Sequence, residues 1–412
     1  MFHQKTLTNT ISKKMSLRKF SFSSYKKFRD ENTVEIRPVT ILVGKNSSGK
    51  SSICKLLPML AKCMLPYHNI TPFLFDNDGV CLGTSFSDIS HNGEAVGLAF
   101  GLEFSDNLDV KASLVSEDLN QRIMVDKYIL RRNDEEYILS YDRTNKMYNA
   151  NFQREPLEAA SLMGFVCEEV NQIAGIDNDS LFIDVDYIGP FRVLPQRTYY
   201  AKGVEMRQRV GILGEEAYNE LASFYNIEKA VSEWYVNNFS VQLSVDEIEG
   251  EKGAYHVNMI NPISGTVVNI VDEGQGMSQV LPIVVRCNME VQDSIVVVEQ
   301  PELHLHPKAH ASLGYLFATT SKRNKQSYVV ETHSENLLLG LRDAVVDPNI
   351  DFSTDDVIIY FVDEDEEDGS AYLREITIDE NGMLSDWPSN VFNESYELLT
   401  AIKKKAFENK SR

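Results

Sequence analysis

The stretch "GKNSSGKS" at 44–51 constrains this chain more than any other. It satisfies the spacing G-x-x-x-x-G-K-[ST] without a mismatch. Before it, "VTILVG" at 39–44 is a short apolar run of strand type. After it, "SSICKLLPMLAKCML" at 51–65 has helical periodicity, with Pro58 expected to kink the helix. Glycines let such a loop wrap tightly, so that backbone N–H groups and the positive end of the helix converge on an anion. The candidate phosphate-binding residues are Gly44, Lys45, Asn46, Ser47, Ser48, Gly49, Lys50, Ser51 and Ser52. Lys50 is placed to reach the outer phosphates, and the Ser51 hydroxyl is offered to a metal ion. The implied ligands are ATP and Mg2+.

A second constraint is "SIVVVEQPELHLHP" at 294–307. Its apolar run ends on Glu299, a carboxylate that either holds Mg2+ opposite Ser51 or caps the next turn. The next residue is Gln300, a neutral amide that cannot accept a proton, although it can orient water. Glu302, beyond Pro301, is the alternative base. "YVVETHSENL" at 328–337 puts His333 between a strand and a helix, where an imidazole can bond a terminal phosphate. Glu299, Gln300, Glu302 and His333 are therefore the candidate catalytic residues, with Ser51 and Glu299 the candidate metal ligands and slow hydrolysis the expectation.

Three further motifs read two ways. "VDEGQGMSQVLPIV" at 271–284 is an ordinary glycine turn or a second phosphate contact, made by Gly274, Gly276, Ser278 and Gln279 at a helix N-terminus. "HLHPKAH" brings His304, His306 and His310 close in sequence, but without a further cysteine or histidine nearby the zinc reading is the weaker one. In "GPFRVLPQR", Arg192 and Arg197 are expected near the nucleotide head rather than on a distant face.

Around these motifs the chain alternates. Residues 94–153 carry short alternating runs that read as an antiparallel meander. Residues 155–174 and 214–239 read as helices, and 181–190 as a buried strand. From 276 onward helices and strands alternate at the spacing of a parallel sheet covered on both faces. A last strand, "AYLREITI", and a last helix at 391–407 close the chain. The expected division is a polar extension at 1–14, the first part of an ATPase head at 15–105, a β meander and helix insertion at 106–185, the rest of the head at 186–345, and a C-terminal domain at 346–412.

A formal net charge of −21 over 412 residues argues against a surface that coats nucleic acid, so DNA is not the expected partner. Five cysteines in no paired pattern point to reduced thiols and the cytoplasm. No stretch has the apolar length of a membrane span, and the start lacks a secretory h-region.

With these residues in hand, the chain resembles the ABC-type ATPases of the SMC, RecF and OLD group, and more closely the bacterial "AAA family ATPases" with an uncharacterised C-terminal domain. The shared landmarks are "ILVGKNSSGKSS", "YIGPFRVLPQRTY", "DEGQGMSQVLPIVV", "VEQPELHLHP", "ETHSENLL" and "ITIDENGMLSDWPSNVF". The resemblance implies an α/β fold: an ABC-ATPase head with a P-loop parallel sheet core, an antiparallel β subdomain and a helical signature lobe. It also implies a homodimer or larger homo-oligomer, with the 274–279 turn completing a neighbour's site, Leu305–Pro307 at the seam and His333 on the γ-phosphate. Relatives of this kind are encoded beside an effector, commonly a nuclease, in phage-defence cassettes. The chain departs from the pattern where a signature serine is expected, since that position falls near Val271 or Asp272. It has no long coiled coil and no appended Toprim-like nuclease. The glutamine loop is not assigned, with the stretch 82–92 the nearest candidate region. Two readings remain: an ATP-driven switch acting on a partner, or a scaffold in which ATP is a fixed bridging ligand. Direct DNA-end binding of RecF type is the third.

Overall fold

In the computed structural model, residues 14–65, 71–94, 97–116, 123–202 and 209–387 are described. The chain opens with β1 (Leu17–Ser23), β2 (Asn32–Glu35) and β3 (Val39–Gly44), and the loop after β3 leads into α1 (Lys50–Cys63). A meander follows: β4 (Leu98–Phe104), β5 (Leu108–Ser116), β6 (Ile123–Arg132), β7 (Glu135–Asp142) and β8 (Met147–Ala150). Next come β9 (Asp184–Ile188), α2 (Ala217–Ser223), α3 (Tyr225–Phe239), β10 (Gln242–Glu247), β11 (Ala254–Ile260) and β12 (Val267–Asn269). Then α4 (Gln275–Asn288), β13 (Ser294–Glu299), α5 (Pro307–Asn324), β14 (Ser327–Glu331) and α6 (Glu335–Val346) alternate, before β15 (Val357–Glu364) and β16 (Ala371–Ile376).

The core sheet has the order β9-β13-β14-β3-β15-β16, parallel except for the β15/β16 hairpin. Its central strands β13, β14, β3 and β15 are apolar on both faces, as burial on both sides requires. Leu42, Val297, Val329 and Ile358 point to one face, where they join α1 and the meander in one core. Ile41, Val43, Val296, Val298 and Val330 point to the other, packed with residues of α4, α5 and α6. The expected α/β class with an antiparallel subdomain is thus what the chain adopts. One face, however, is covered by α1 together with a sheet rather than by helices alone.

The meander does not stand by itself. β4 pairs with β1, so β8-β7-β6-β5-β4-β1-β2 run through one antiparallel sheet, with Leu157–Glu158 on its far edge. Residues 105 and 106 therefore fall at a hairpin turn inside that sheet, between β4 and β5. At the other end of the chain, β15 lies against β3, so residues after 346 contribute to the core sheet itself.

Two helix expectations fail locally. Within 155–174 only Glu168–Ile173 is α-helical, after a small hairpin of Leu162–Met163 with Val166–Cys167. Gly164 at its turn has φ 61°, and a Cβ there would lie 2.2 Å from the Cys63 carbonyl oxygen, so docking on the end of α1 overrides helical periodicity. The 214–239 stretch breaks at Phe224, whose backbone is extended between α2 and α3. By contrast, α1 continues through Pro58. The helix expected at 391–407 lies outside the described residues.

Candidate functional site

Parallel strands deliver their last residues to one edge, and here that edge carries the chemistry. The loop 44–51 joins β3 to α1. Gly44 has φ 151° and Gly49 φ 113°. A Cβ at Gly44 would lie 2.7 Å from the Val362 carbonyl oxygen, and one at Gly49 would lie 2.9 Å from the Phe28 ring, so both positions require glycine. Lys50 is buried, and its ammonium donates to the carbonyls of Gly44 at 3.0 Å and Lys45 at 2.6 Å. Burial lowers its pKa. A cleft of about 320 Å³ opens over the loop, lined by Lys26, Lys27, Asn46, Ser47, Gly49, Lys50, Ser51, Ser52, Gln300, Glu331 and His333.

Glu299 and Glu331 end neighbouring strands in register. Alternation along β13 and β14 places both on the α1 side, with Val297 and Val329. Glu299 accepts the Tyr187 hydroxyl at 2.6 Å. Burial raises its carboxyl to about 7, against the lowering effect of Tyr187 and with further raising from Glu331. Glu331 is also raised by burial, while the Ser51 hydroxyl bonds it and lowers it. Among the described residues, Glu331 Oε2 is buried with no hydrogen-bond partner, and so is Ser48 Oγ. These orphaned atoms, the glycine-built loop and the paired carboxylates fit an Mg2+–triphosphate. Ser51, Glu299 and Glu331 would hold the ion, and Lys50 with the loop amides would hold the phosphates. When bound, Mg2+ neutralises charge on the phosphate oxygens.

Gln300 stands at φ 45°, in the left-handed region, which turns its side chain toward the cleft. The turn is braced from behind by Arg192, whose buried guanidinium donates to the carbonyls of Glu299 at 2.8 Å and Gln300 at 3.2 Å. Burial lowers Arg192 to about 10. Glu302 is engaged: Oε1 accepts the Thr332 hydroxyl at 2.8 Å and the His333 backbone N–H at 2.7 Å. It fixes the turn that carries His333 into the cleft. Burial and Lys50 lower the His333 pKa.

The other motifs are placed differently. Gly274, the N-cap of α4, is exposed with nothing near its Cβ position, and Gln275 beside it is exposed. Ser278 and Gln279 face inward instead. The Ser278 hydroxyl donates to the Gln275 carbonyl at 3.1 Å, and Gln279 Nε2 donates to the Arg192 carbonyl at 3.3 Å. Both side chains are thus bonded within the chain. Gly276 is packed too, since a Cβ there would lie 2.4 Å from the His304 carbonyl oxygen. Arg197 pairs with Asp272 at 2.6 Å on the surface, beside the α4 turn. His306 caps α5 through Nδ1, and His310 bridges Ser334 and the Leu305 carbonyl, so "HLHPKAH" works as helix and turn structure. The stretch 82–92 packs on the cleft-lining Lys26, whose ammonium donates to the Leu82 and Asp88 carbonyls and whose carbonyl is bonded by His91. Asp88 in that stretch is lowered to about 2 by bonds from Thr84 and Ser85.

Sequence reasoning missed Glu331, Cys54, Tyr187 and Lys26. For Glu331 the signal was present: "YVVE" is an apolar run ending on a carboxylate, as "IVVVE" is.

Solved structures that the chain matches include the SmcHead bound to the C-winged helix domain of ScpA, at 13% identity and TM-score 0.47, covering 89% of this chain and 100% of that one. The SMC head domain from Thermotoga maritima matches at 12% and 0.42, over 87% of this chain and 98% of that one. An Smc head domain with an extended coiled coil, bound to the C-terminal domain of ScpA derived from Pyrococcus furiosus, matches at 10% and 0.44, over 94% and 100%. No curated protein matches the chain. No described helix is long and apolar enough to cross a membrane. Residues 353–402 match a family described as "Protein of unknown function (DUF3696)". Residues 15–159 and 211–338, which hold the loop at 44–51, Glu299 and His333, match the family described as "AAA ATPase domain", and the chain belongs to that family.

Proposed function

We propose that this chain is a slow ATPase switch. Two copies close around Mg2+–ATP and part on hydrolysis, and a partner effector of nuclease type, in an antiviral setting, responds to that cycle. The observation that carries the reading is the cleft itself. It gathers Lys50, Ser51, Glu331 and His333, but puts the amide Gln300 where a proton acceptor would speed attack by water. Glu302 holds the His333 turn through one carboxylate oxygen, Oε1, while Oε2 has no hydrogen-bond partner among the described residues. The exposed N-terminus of α4 at Gly274 and Gln275 is a contact that a second copy can bring to the phosphates.

The test is ATP turnover by the purified chain, with molecular mass by light scattering with and without ATP. Slow turnover and an ATP-dependent gain in mass, both lost in Lys50→Ala, support the switch. Nucleotide retained without turnover, in a mass that ATP does not change, favours the scaffold reading that Gln300 also permits. A mass unchanged by ATP together with fast turnover overturns both.

A further inference from the structure

We propose that Cys54, Glu299 and Glu331 form a buried site for a thiophilic divalent cation of the Zn2+ class, filled when nucleotide is absent. Ser51 and Cys54 are three residues apart on α1, so they share a helix face one turn apart. That face meets the strand ends from which Glu299 and Glu331 project in register. The result is one sulfur and two carboxylate oxygens within 4.8 Å of one another, all in buried side chains. No other group of this kind occurs among the described residues.

A second observation points to a ligand. Glu331 is only 2% exposed, and its Oε2 has no hydrogen-bond partner among the described residues. Two buried carboxylates beside a thiol repel unless a proton or a cation lies among them. Lys50 acts on Glu331, and Lys55 on both carboxylates, through their charge, but the Lys50 ammonium already donates to two loop carbonyls.

The donor set selects the ion. Mg2+ takes hard oxygen ligands and gains nothing from sulfur. Zn2+ accepts thiolate and carboxylate together in a tetrahedron, with the remaining position left to water from the cleft. On binding, the Cys54 S–H bond breaks, its proton passes to solvent, and a sulfur–metal bond forms without any change of oxidation state. Glu331 lines the cleft, which gives the ion a way in. An ion there holds both carboxylates that Mg2+–ATP needs, so it delays nucleotide binding. This last consequence rests on the ATPase reading, while the site does not.

The experiment titrates the full, nucleotide-free chain with Co2+ or Cd2+ and records thiolate-to-metal charge-transfer absorption. We expect a saturable band that Zn2+ displaces. Cys54→Ala and Cys54→Ser should both remove it while thermal unfolding shows them folded, and changes at Cys63, Cys81, Cys167 or Cys287 should leave it. Glu331→Gln should weaken binding roughly 10–100-fold. Absence of the band in the natural chain, or its survival in both Cys54 variants, overturns the site and leaves the ATPase reading standing. If Zn2+ slows turnover of the natural chain more than of Cys54→Ser, the competition holds. Equal slowing overturns the competition.

Discussion

Glu302 holds His333 by its backbone: the carboxylate Oε1 takes that N–H at 2.7 Å while also taking the Thr332 hydroxyl. If the acid acts through this position rather than by moving protons, its two substitutions should differ. Glu302→Gln retains an acceptor oxygen, so turnover should stay within about threefold of the natural chain. Glu302→Ala frees the turn and should lower kcat roughly 100-fold, the scale of a misplaced catalytic group. Steady-state kinetics of the two variants decides. Equal losses would identify the Glu302 charge itself as the requirement.

Gln300 already faces the cleft from a left-handed backbone position braced by Arg192. Gln300→Glu adds a proton acceptor with no change of shape. Turnover should rise roughly 100-fold, within the range general base catalysis supplies. An unchanged rate under single-turnover conditions would mean that chemistry is not limited at this position.

Burial raises the Glu299 carboxyl from the ordinary 4.5 to about 7. Below 4.5 the acid is neutral in folded and unfolded chains alike. Between these values the folded state keeps a proton that the unfolded chain has lost, so stability falls as pH rises, and above about 7 the loss is complete. It amounts to an order of 3 kcal/mol. Glu331 and Asp186 are raised in the same direction. Denaturant midpoints of the nucleotide-free protein should therefore drop between about pH 5 and pH 8, and Glu299→Gln should flatten that slope.

Arg286 is fully buried in α4, where it bonds Asp186 at 2.7 Å, Gln326 at 2.8 Å and Ser294 at 2.9 Å. Arg286→Met leaves Asp186 buried without its cation, a change worth about 3–5 kcal/mol. Urea unfolding should show that loss, and Arg286→Met combined with Asp186→Leu should recover part of it.

Gly274 and Gly276 are two residues apart but differ in surroundings. Gly274→Trp meets open space, so unfolding temperature should hold while any ATP-dependent gain in mass disappears. Gly276→Val collides with the His304 carbonyl, so it should lower stability by about 1–3 kcal/mol. Light scattering and thermal unfolding on both variants separate an interface from a packing effect.

Much of the site was legible because its residues are adjacent in sequence. The loop at 44–51, its flanking strand and helix, and the strand that ends on Glu299 announce themselves by local spacing. The pairing of Glu299 with Glu331 did not, because register between strands separated by α5 is set by the sheet. The inward packing of Ser278 and Gln279 was hidden as well: they follow glycines at a helix start, but α4 is buried on every side from Ser278 onward. The union of β1 with the meander was equally hidden, since Leu17–Ser23 finds its partner in Leu98–Phe104. At 155–174 helical spacing lost to a glycine turn seated on α1.

β15 runs beside β3 as far as Val362 opposite Gly44, with its backbone closing over the glycine. The ribosome makes Gly44 early and Val362 late. While the chain is growing, the loop has a sequence but lacks the neighbour strand that walls it. The walled loop thus exists only once β15 has been synthesised and has added to the sheet.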